Sequence, residues 1–146
     1  IIFAFSIGIV LIYFGAYYTK FSKIEDLRYI DPSLPVESRI ESLLSQMTLK
    51  EKIGQMALVE KNSIHSLGDI ALYGLGGVLS GGGAKPKNNT ASGWLDMVTR
   101  YGKASYVSRL GIPIVYGVDA VHGHGNVPGA TIFPHAIGLG ATNDPG

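Results

Sequence analysis

Apolar residues along this chain recur at two spacings, and each spacing predicts a different element. Val36, Ile40, Leu43, Leu44 and Met47 fall on one side of a helix, with Pro35 suited to its first position. A second helix is expected from Thr48. There Thr48 and Glu51 stand at the spacing at which a hydroxyl and a carboxylate cap each other's backbone amides. Leu49, Ile53 and Met56 would form its apolar face, while Glu37, Arg39, Glu41, Lys50 and Lys52 read as solvated positions. The run Met56 to Val59, ending at Glu60, predicts a first strand, and a helix-like stretch follows near His65 to Tyr73. Gly76 to Ser80 reads as a second strand that runs into Gly81-Gly82-Gly83. Thr90 or Ser92 would cap a further helix whose apolar face is Trp94, Val98, Tyr101 and Ala104 or Ser105. Gly111 suits its stop, and Pro113 opens a third strand, Ile114 to Asp119, rich in β-branched and aromatic residues.

The order is therefore helix, helix, strand, helix, strand, helix, strand. Such alternation implies an α/β fold with parallel strands joined by right-handed crossovers. Three strands are too few to close a barrel. The chain opens on Ile1 and ends on the turn-like Asp144-Pro145-Gly146, so it is expected to be a fragment of something larger.

Ile1 to Thr19 carries no charge, and as a helix it would span roughly 28 Å, near the hydrocarbon thickness of a bilayer. Tyr13, Phe14, Tyr17 and Tyr18 crowd its end, as at a membrane interface, and small residues for a cleavage site are poorly placed. Residues 1–19 are thus expected to be a transmembrane signal anchor, with a cleaved signal peptide or a buried helix as alternatives. Either of the first two puts the protein in the membrane or outside the cytoplasm. Residues 20–35 form a polar linker, and residues 36–146 form the α/β portion.

Composition narrows the chemistry. Twelve basic and eleven acidic residues leave no charge excess that would point to nucleic acid. The absence of cysteine excludes disulfides, thiolate metal sites and a cysteine nucleophile. Gly81-Gly82-Gly83 superficially suggests a phosphate loop, but no Gly-Lys-Ser/Thr follows, so a tight turn at a strand end is the better reading. Asn88-Asn89-Thr90 matches a glycosylation sequon, a pattern common by chance.

The segment Gly111 to His135 holds the densest chemistry. A carboxylate, Asp119, stands where an apolar strand opens into a glycine-rich loop, the place where α/β enzymes put polar groups. His122, His124 and His135 follow. Asp119, His122 and His124 could together bind zinc, which makes a zinc-dependent hydrolase one alternative. Glu60 and Asp119, both at expected strand ends, are the two carboxylates available for a self-contained acid/base pair.

Several blocks resemble the N-terminal barrel of family 3 glycoside hydrolases. They are Met47-Thr48-Leu49 with Glu51-Lys52-Ile53-Gly54-Gln55-Met56, then Leu79-Ser80-Gly81-Gly82-Gly83, then Gly117 with Asp119-Ala120-Val121-His122-Gly123-His124. Gly129-Ala130-Thr131, Phe133-Pro134-His135 and Gly138-Leu139-Gly140-Ala141-Thr142 continue the likeness, so it runs from about Arg28 to Pro145. Gly125 departs from the pattern, where relatives often carry Asn. The block after Asp119 resembles the β-glucosidase and exo-β-glucanase branch. The resemblance implies the first units of an incomplete (β/α)8 TIM-type barrel and a retaining hydrolase for terminal β-D-glucosyl residues of glucosides or β-glucan oligosaccharides. No cofactor or metal is implied. Asp119 would bind sugar hydroxyls, and His122 and His124 would shape the loop beneath the sugar. The family's nucleophile, acid/base and sugar-gripping Lys-His pair fall beyond these residues, so no catalytic residue is expected here and the chain alone should be inactive. A non-catalytic, membrane-tethered sugar-binding protein is the remaining alternative.

Overall fold

The structure is a computed structural model, and it describes residues 24–144. The expected membrane or signal helix at residues 1–19 lies outside the described residues. Among the described residues no helix is long and apolar enough to cross a membrane. The chain divides into two compact units after Gln46.

In the first unit, helix α1 (Val36–Gln46) follows a 3-10 turn at Arg28–Ile30. Residues of the expected linker are hydrogen-bonded to this helix. The Gln46 side chain accepts from the Glu25 and Asp26 amides and donates to the Asp26 carbonyl, while Arg39 Nε donates to the Tyr29 carbonyl. The Arg28 guanidinium beside Asp26 holds its carboxyl well below the usual carboxylate range. The apolar residues Val36, Ile40 and Leu44, expected to face a core, are exposed at the surface of this helix.

The second unit is an α/β layer of three parallel strands in the order β1-β2-β3. Its elements are α2 (Leu49–Met56), β1 (Leu58–Glu60), α3 (Leu67–Tyr73), β2 (Gly77–Ser80), α4 (Ala91–Ser105), β3 (Val115–Val118) and α5 (Ala136–Ala141). The register aligns Val59 with Val78, and Val78 with Tyr116. These three face the helices. Val78 is fully buried and Tyr116 and Val59 pack on the core formed by Ile70, Leu75, Val78, Trp94, Met97 and Tyr101. Strand alternation turns Leu58, Val115 and Gly117 to the opposite face, where Leu58 and Val115 are largely exposed. The third strand is thus buried on one face and open on the other.

Local chemistry explains the boundaries. Thr48 caps α2 in the expected box with Glu51. That helix keeps Met56, so β1 starts at Leu58, two residues later than the apolar run suggests. Leu49, Ile53 and Met56 lie outward, because the face of α2 that meets the sheet layer is built around a glycine instead. A Cβ on Gly54 would stand 2.1 Å from the Tyr73 carbonyl oxygen, and the Gly76 amide donates to the Gly54 carbonyl at 2.9 Å. Backbone meets backbone there. Ser66 and Asp69 form a second capping box on α3, and Gly74 ends that helix with φ +59°. Thr90, not Ser92, caps α4 by accepting from the Gly93 amide. The threonine of the sequon is therefore accounted for by the helix it starts. Met97, rather than Val98, is the buried residue one turn after Trp94. Helix α5 has no periodic signal, since Ala136–Ala141 contains two glycines in six residues.

Candidate functional site

Asp119 sits directly after β3, and its amide donates to the Ser80 carbonyl at 3.0 Å, continuing the ladder by one residue. Ser80 is buried, and its Oγ accepts from the Tyr116 hydroxyl at 2.8 Å. Burial pushes the Tyr116 phenol above its ordinary value, so it stays a donor, although the Ser80 bond pulls back slightly. Together these bonds fix the last residues of β2 and β3 against each other. Asp119 shares strand parity with Val115 and Gly117, which places it on the open face of the sheet. Its carboxylate is exposed and holds no hydrogen bond among the described residues.

The loop after Asp119 is folded rather than loose. Phe133 donates its amide to the His122 carbonyl at 2.8 Å, and Val127 to the His124 carbonyl at 3.0 Å. Gly123 takes φ +90°, and a Cβ there would lie 2.5 Å from the Thr131 carbonyl oxygen. Only glycine fits that crossing. Asn126 Nδ2 donates to the Gly82 carbonyl, tying this loop to the glycine turn after β2. The triple glycine serves as that turn, with Gly82 at φ +46°.

The three histidines do not act as one group. The His124 ring stands edge-on to Trp94 with centroids 4.5 Å apart, whereas the His122 ring lies 5.4 Å from that of His135. The Nδ1 atom of His122 is buried without a hydrogen-bond partner among the described residues. A zinc site of Asp119, His122 and His124 needs convergence that this loop does not provide. No three His, Asp or Glu side chains among the described residues gather as metal ligands. Glu60 is also committed elsewhere: one carboxylate oxygen accepts from the Asn62 amide at 2.7 Å, capping the 3-10 turn Lys61–Ser63. Its other oxygen is buried without a hydrogen-bond partner among the described residues.

A cleft of about 890 Å³ is lined by Lys61, His65, Lys87, Asp96 and Arg100 among others, and none of Asp119, His122 or His124 lines it. Its volume marks a groove between helices, not the strand end where the carboxylate stands. Three contributors to the loop are not visible as such in the sequence: Asn89, Trp94 and Asn126. Trp94 reads as a core residue, and it is only 5% exposed. Its indole N–H needs an acceptor, which Asn89 Oδ1 supplies at 2.8 Å.

The sequence model of the Glycosyl hydrolase family 3 N terminal domain matches residues 48–146. The chain belongs to glycosyl hydrolase family 3. It is 35% identical over 120 residues to the lysosomal beta glucosidase of Dictyostelium discoideum, a match covering 70% of this chain and 15% of that protein. It also resembles the crystal structure of an exo-1,3/1,4-beta-glucanase from a Pseudoalteromonas species. That likeness has 42% identity and a TM-score of 0.66, and covers 78% of this chain and 15% of the other. The chain thus spans about 15% of the length of these family 3 relatives. The matched region opens at the Thr48 cap, next to the division between the two compact units.

Proposed function

We propose that this chain forms part of a β-glucosidase that removes terminal β-D-glucosyl residues from glucosides or β-glucan oligosaccharides, with retention and without a cofactor. The observation that carries the reading is the Asp119 carboxylate, exposed at the end of β3 on the open face of the sheet, inside a family 3 N-terminal domain. An ionised carboxylate accepts hydrogen bonds only, and two neighbouring sugar hydroxyls can both donate to it. Charge-assisted bonds of this kind are the stronger ones. The names of the two relatives, a beta glucosidase and a beta-glucanase, support the same substrate class.

A retaining glycosidase needs two carboxyl groups about 5 Å apart. In this reading residues 24–144 supply the sugar contact, and the pair that breaks the bond comes from other parts of the protein; the bond from the Asn62 amide to Glu60, which uses one carboxylate oxygen as a turn cap, is consistent with it. His122 and His124 shape the loop: each lends its backbone carbonyl to a cross-loop bond. The parallel order β1-β2-β3 supports the first units of a (β/α)8 barrel. The uncharged run Ile1 to Thr19 supports an exported or membrane-held enzyme. Fractionation and N-terminal sequencing of the mature protein test that point, and a cytosolic protein retaining Ile1 to Thr19 would overturn it.

The deciding experiment is Asp119→Ala in the active enzyme that carries this chain. A charged hydrogen bond contributes about 1.5–3 kcal/mol, so kcat/KM on an aryl β-glucoside should fall at least about tenfold. A rate equal to wild type removes Asp119 from the sugar site. Turnover by purified residues 20–146 alone would overturn the assignment of the bond-breaking pair to other parts of the protein.

A further inference from the structure

We propose that the segment from Gly82 to Trp94 is the positioning device for Asp119, acting through two latches on the loop that follows it. This rests on the reading of Asp119 as the sugar-binding carboxylate. Asp119 itself is exposed, and only its amide is held by the sheet. Its carbonyl side runs directly into residues 120–127, which contain no helix or strand of their own, so in this proposal their course sets the backbone from which the carboxylate projects. Something must fix that course.

The first latch is Asn89–Trp94–His124. Trp94 is buried at the start of α4, and its single donor is held by Asn89 Oδ1 at 2.8 Å, which fixes the ring about its long axis. The His124 ring then packs edge-on against that indole, with centroids 4.5 Å apart and planes at 75°. Edge-to-face contacts have a defined geometry, so an indole fixed in rotation also fixes the imidazole. The second latch is Asn126, whose side-chain amide donates to the Gly82 carbonyl. His124 and Asn126 lie two residues apart and reach opposite ends of the same β2–α4 segment. Between them they fix both ends of one short stretch just downstream of Asp119.

Asn89, Trp94 and Asn126 are thus positioning residues that touch no sugar. Asn89, the middle residue of the sequon-like triplet, bonds the indole, and Thr90 caps the helix.

The test is a set of double-mutant cycles on p-nitrophenyl β-D-glucopyranoside in the active enzyme that carries this chain. Asn89→Ala and Asn126→Ala should each lower kcat/KM about three- to tenfold, the range expected from losing one fixed hydrogen bond. Asn89→Asp keeps the acceptor and should recover activity to within about twofold of wild type. In an Asp119→Ala background, the same two alanine substitutions should change kcat/KM by less than about twofold, since their effect runs through Asp119. A purely structural role would cost the same factor with or without Asp119, and that result overturns the proposal. Wild-type rates for both alanine variants overturn it as well, while leaving the assignment of Asp119 standing. A wild-type rate for Asp119→Ala alone removes both readings together.

Discussion

Arg109 closes on the same carboxylate that caps helix α2. Its Nε donates to one oxygen of Glu51 at 2.8 Å and its terminal nitrogen to the other at 2.6 Å. Glu51 meanwhile accepts from the Thr48 amide at 2.8 Å, completing the capping box. One side chain therefore serves both the start of α2 and the approach to β3, 58 residues apart. The Arg109 side chain is 9% exposed and that of Glu51 23%. This is an interior pair, for which removing one partner leaves the other charge poorly solvated. Arg109→Lys keeps the charge but cannot make the paired, planar contact. It should cost about 1–2 kcal/mol, and Arg109→Ala more, roughly 2–4 kcal/mol. Chemical denaturation reads both, and an Arg109→Lys protein as stable as wild type would show that the fork geometry contributes nothing.

The same pair predicts a dependence on pH. Burial pushes the Glu51 carboxyl up, but the hydrogen bonds from Arg109 and Thr48 outweigh it, so its folded value lies below the ordinary 4.5. A lowered folded value means the unfolded chain binds the proton more readily. The stabilisation is then fully present above about 4.5 and is lost as pH falls through the lower folded value. The Tm difference between wild type and Glu51→Gln should be constant from pH 7 to pH 5 and shrink below about pH 4.5. A gap that stays constant down to pH 3 would count against the ion pair as its source.

Gly54 shows what the hydrophobic pattern leaves out. Sequence periodicity places Leu49, Ile53 and Met56 on the packing face of α2, yet all three are exposed. The helix approaches the α3–β2 turn so closely that only a bare Cα fits, and the Gln55 side chain donates to the Gly74 carbonyl at 2.9 Å beside it. Gly54→Ala would drive a methyl into the Tyr73 carbonyl at 2.1 Å and must push the helix away. It should destabilise the folded protein by about 2 kcal/mol or more, against the slight gain expected for alanine in an open helix. Thermal melting of Gly54→Ala decides this, and an unchanged or raised Tm contradicts the close approach.

What can be read from the sequence is whatever depends on local chemistry. The capping box at Thr48 and Glu51 follows from residue type and spacing and stands in the structure; the cap of α4 is narrowed by spacing to Thr90 or Ser92 and is Thr90, and the strand expected over Ile114 to Asp119 is Val115–Val118, with Asp119 just after it. The recurrence of blocks is enough for the family. Contacts between distant segments are not legible. Glu51 shows its cap in the sequence but not Arg109, and Trp94 shows its burial but not Asn89 or His124. Two histidines at a metal-like spacing mislead, because Gly123 between them takes a positive φ and sends the side chains to different neighbours.

Gly123 separates loop shape from global stability. It holds φ +90°, and a Cβ would lie 2.5 Å from the Thr131 carbonyl oxygen and 3.1 Å from the Phe133 ring. Alanine is strained there both by its dihedral and by the clash. The surrounding residues 119–135 are largely exposed or half-buried, so the loop can shift without opening the core around Val78 and Trp94. On the proposed function, Gly123→Ala in the active enzyme that carries this chain should therefore lower kcat/KM on an aryl β-glucoside by at least about tenfold while Tm falls by only a few degrees, since strain of this kind is local. Gly54→Ala should show the reverse order of effects, with stability lost first. If Gly123→Ala instead keeps its activity, the crossing of the 122–124 turn by Thr131 does not set the position of the Asp119 carboxylate.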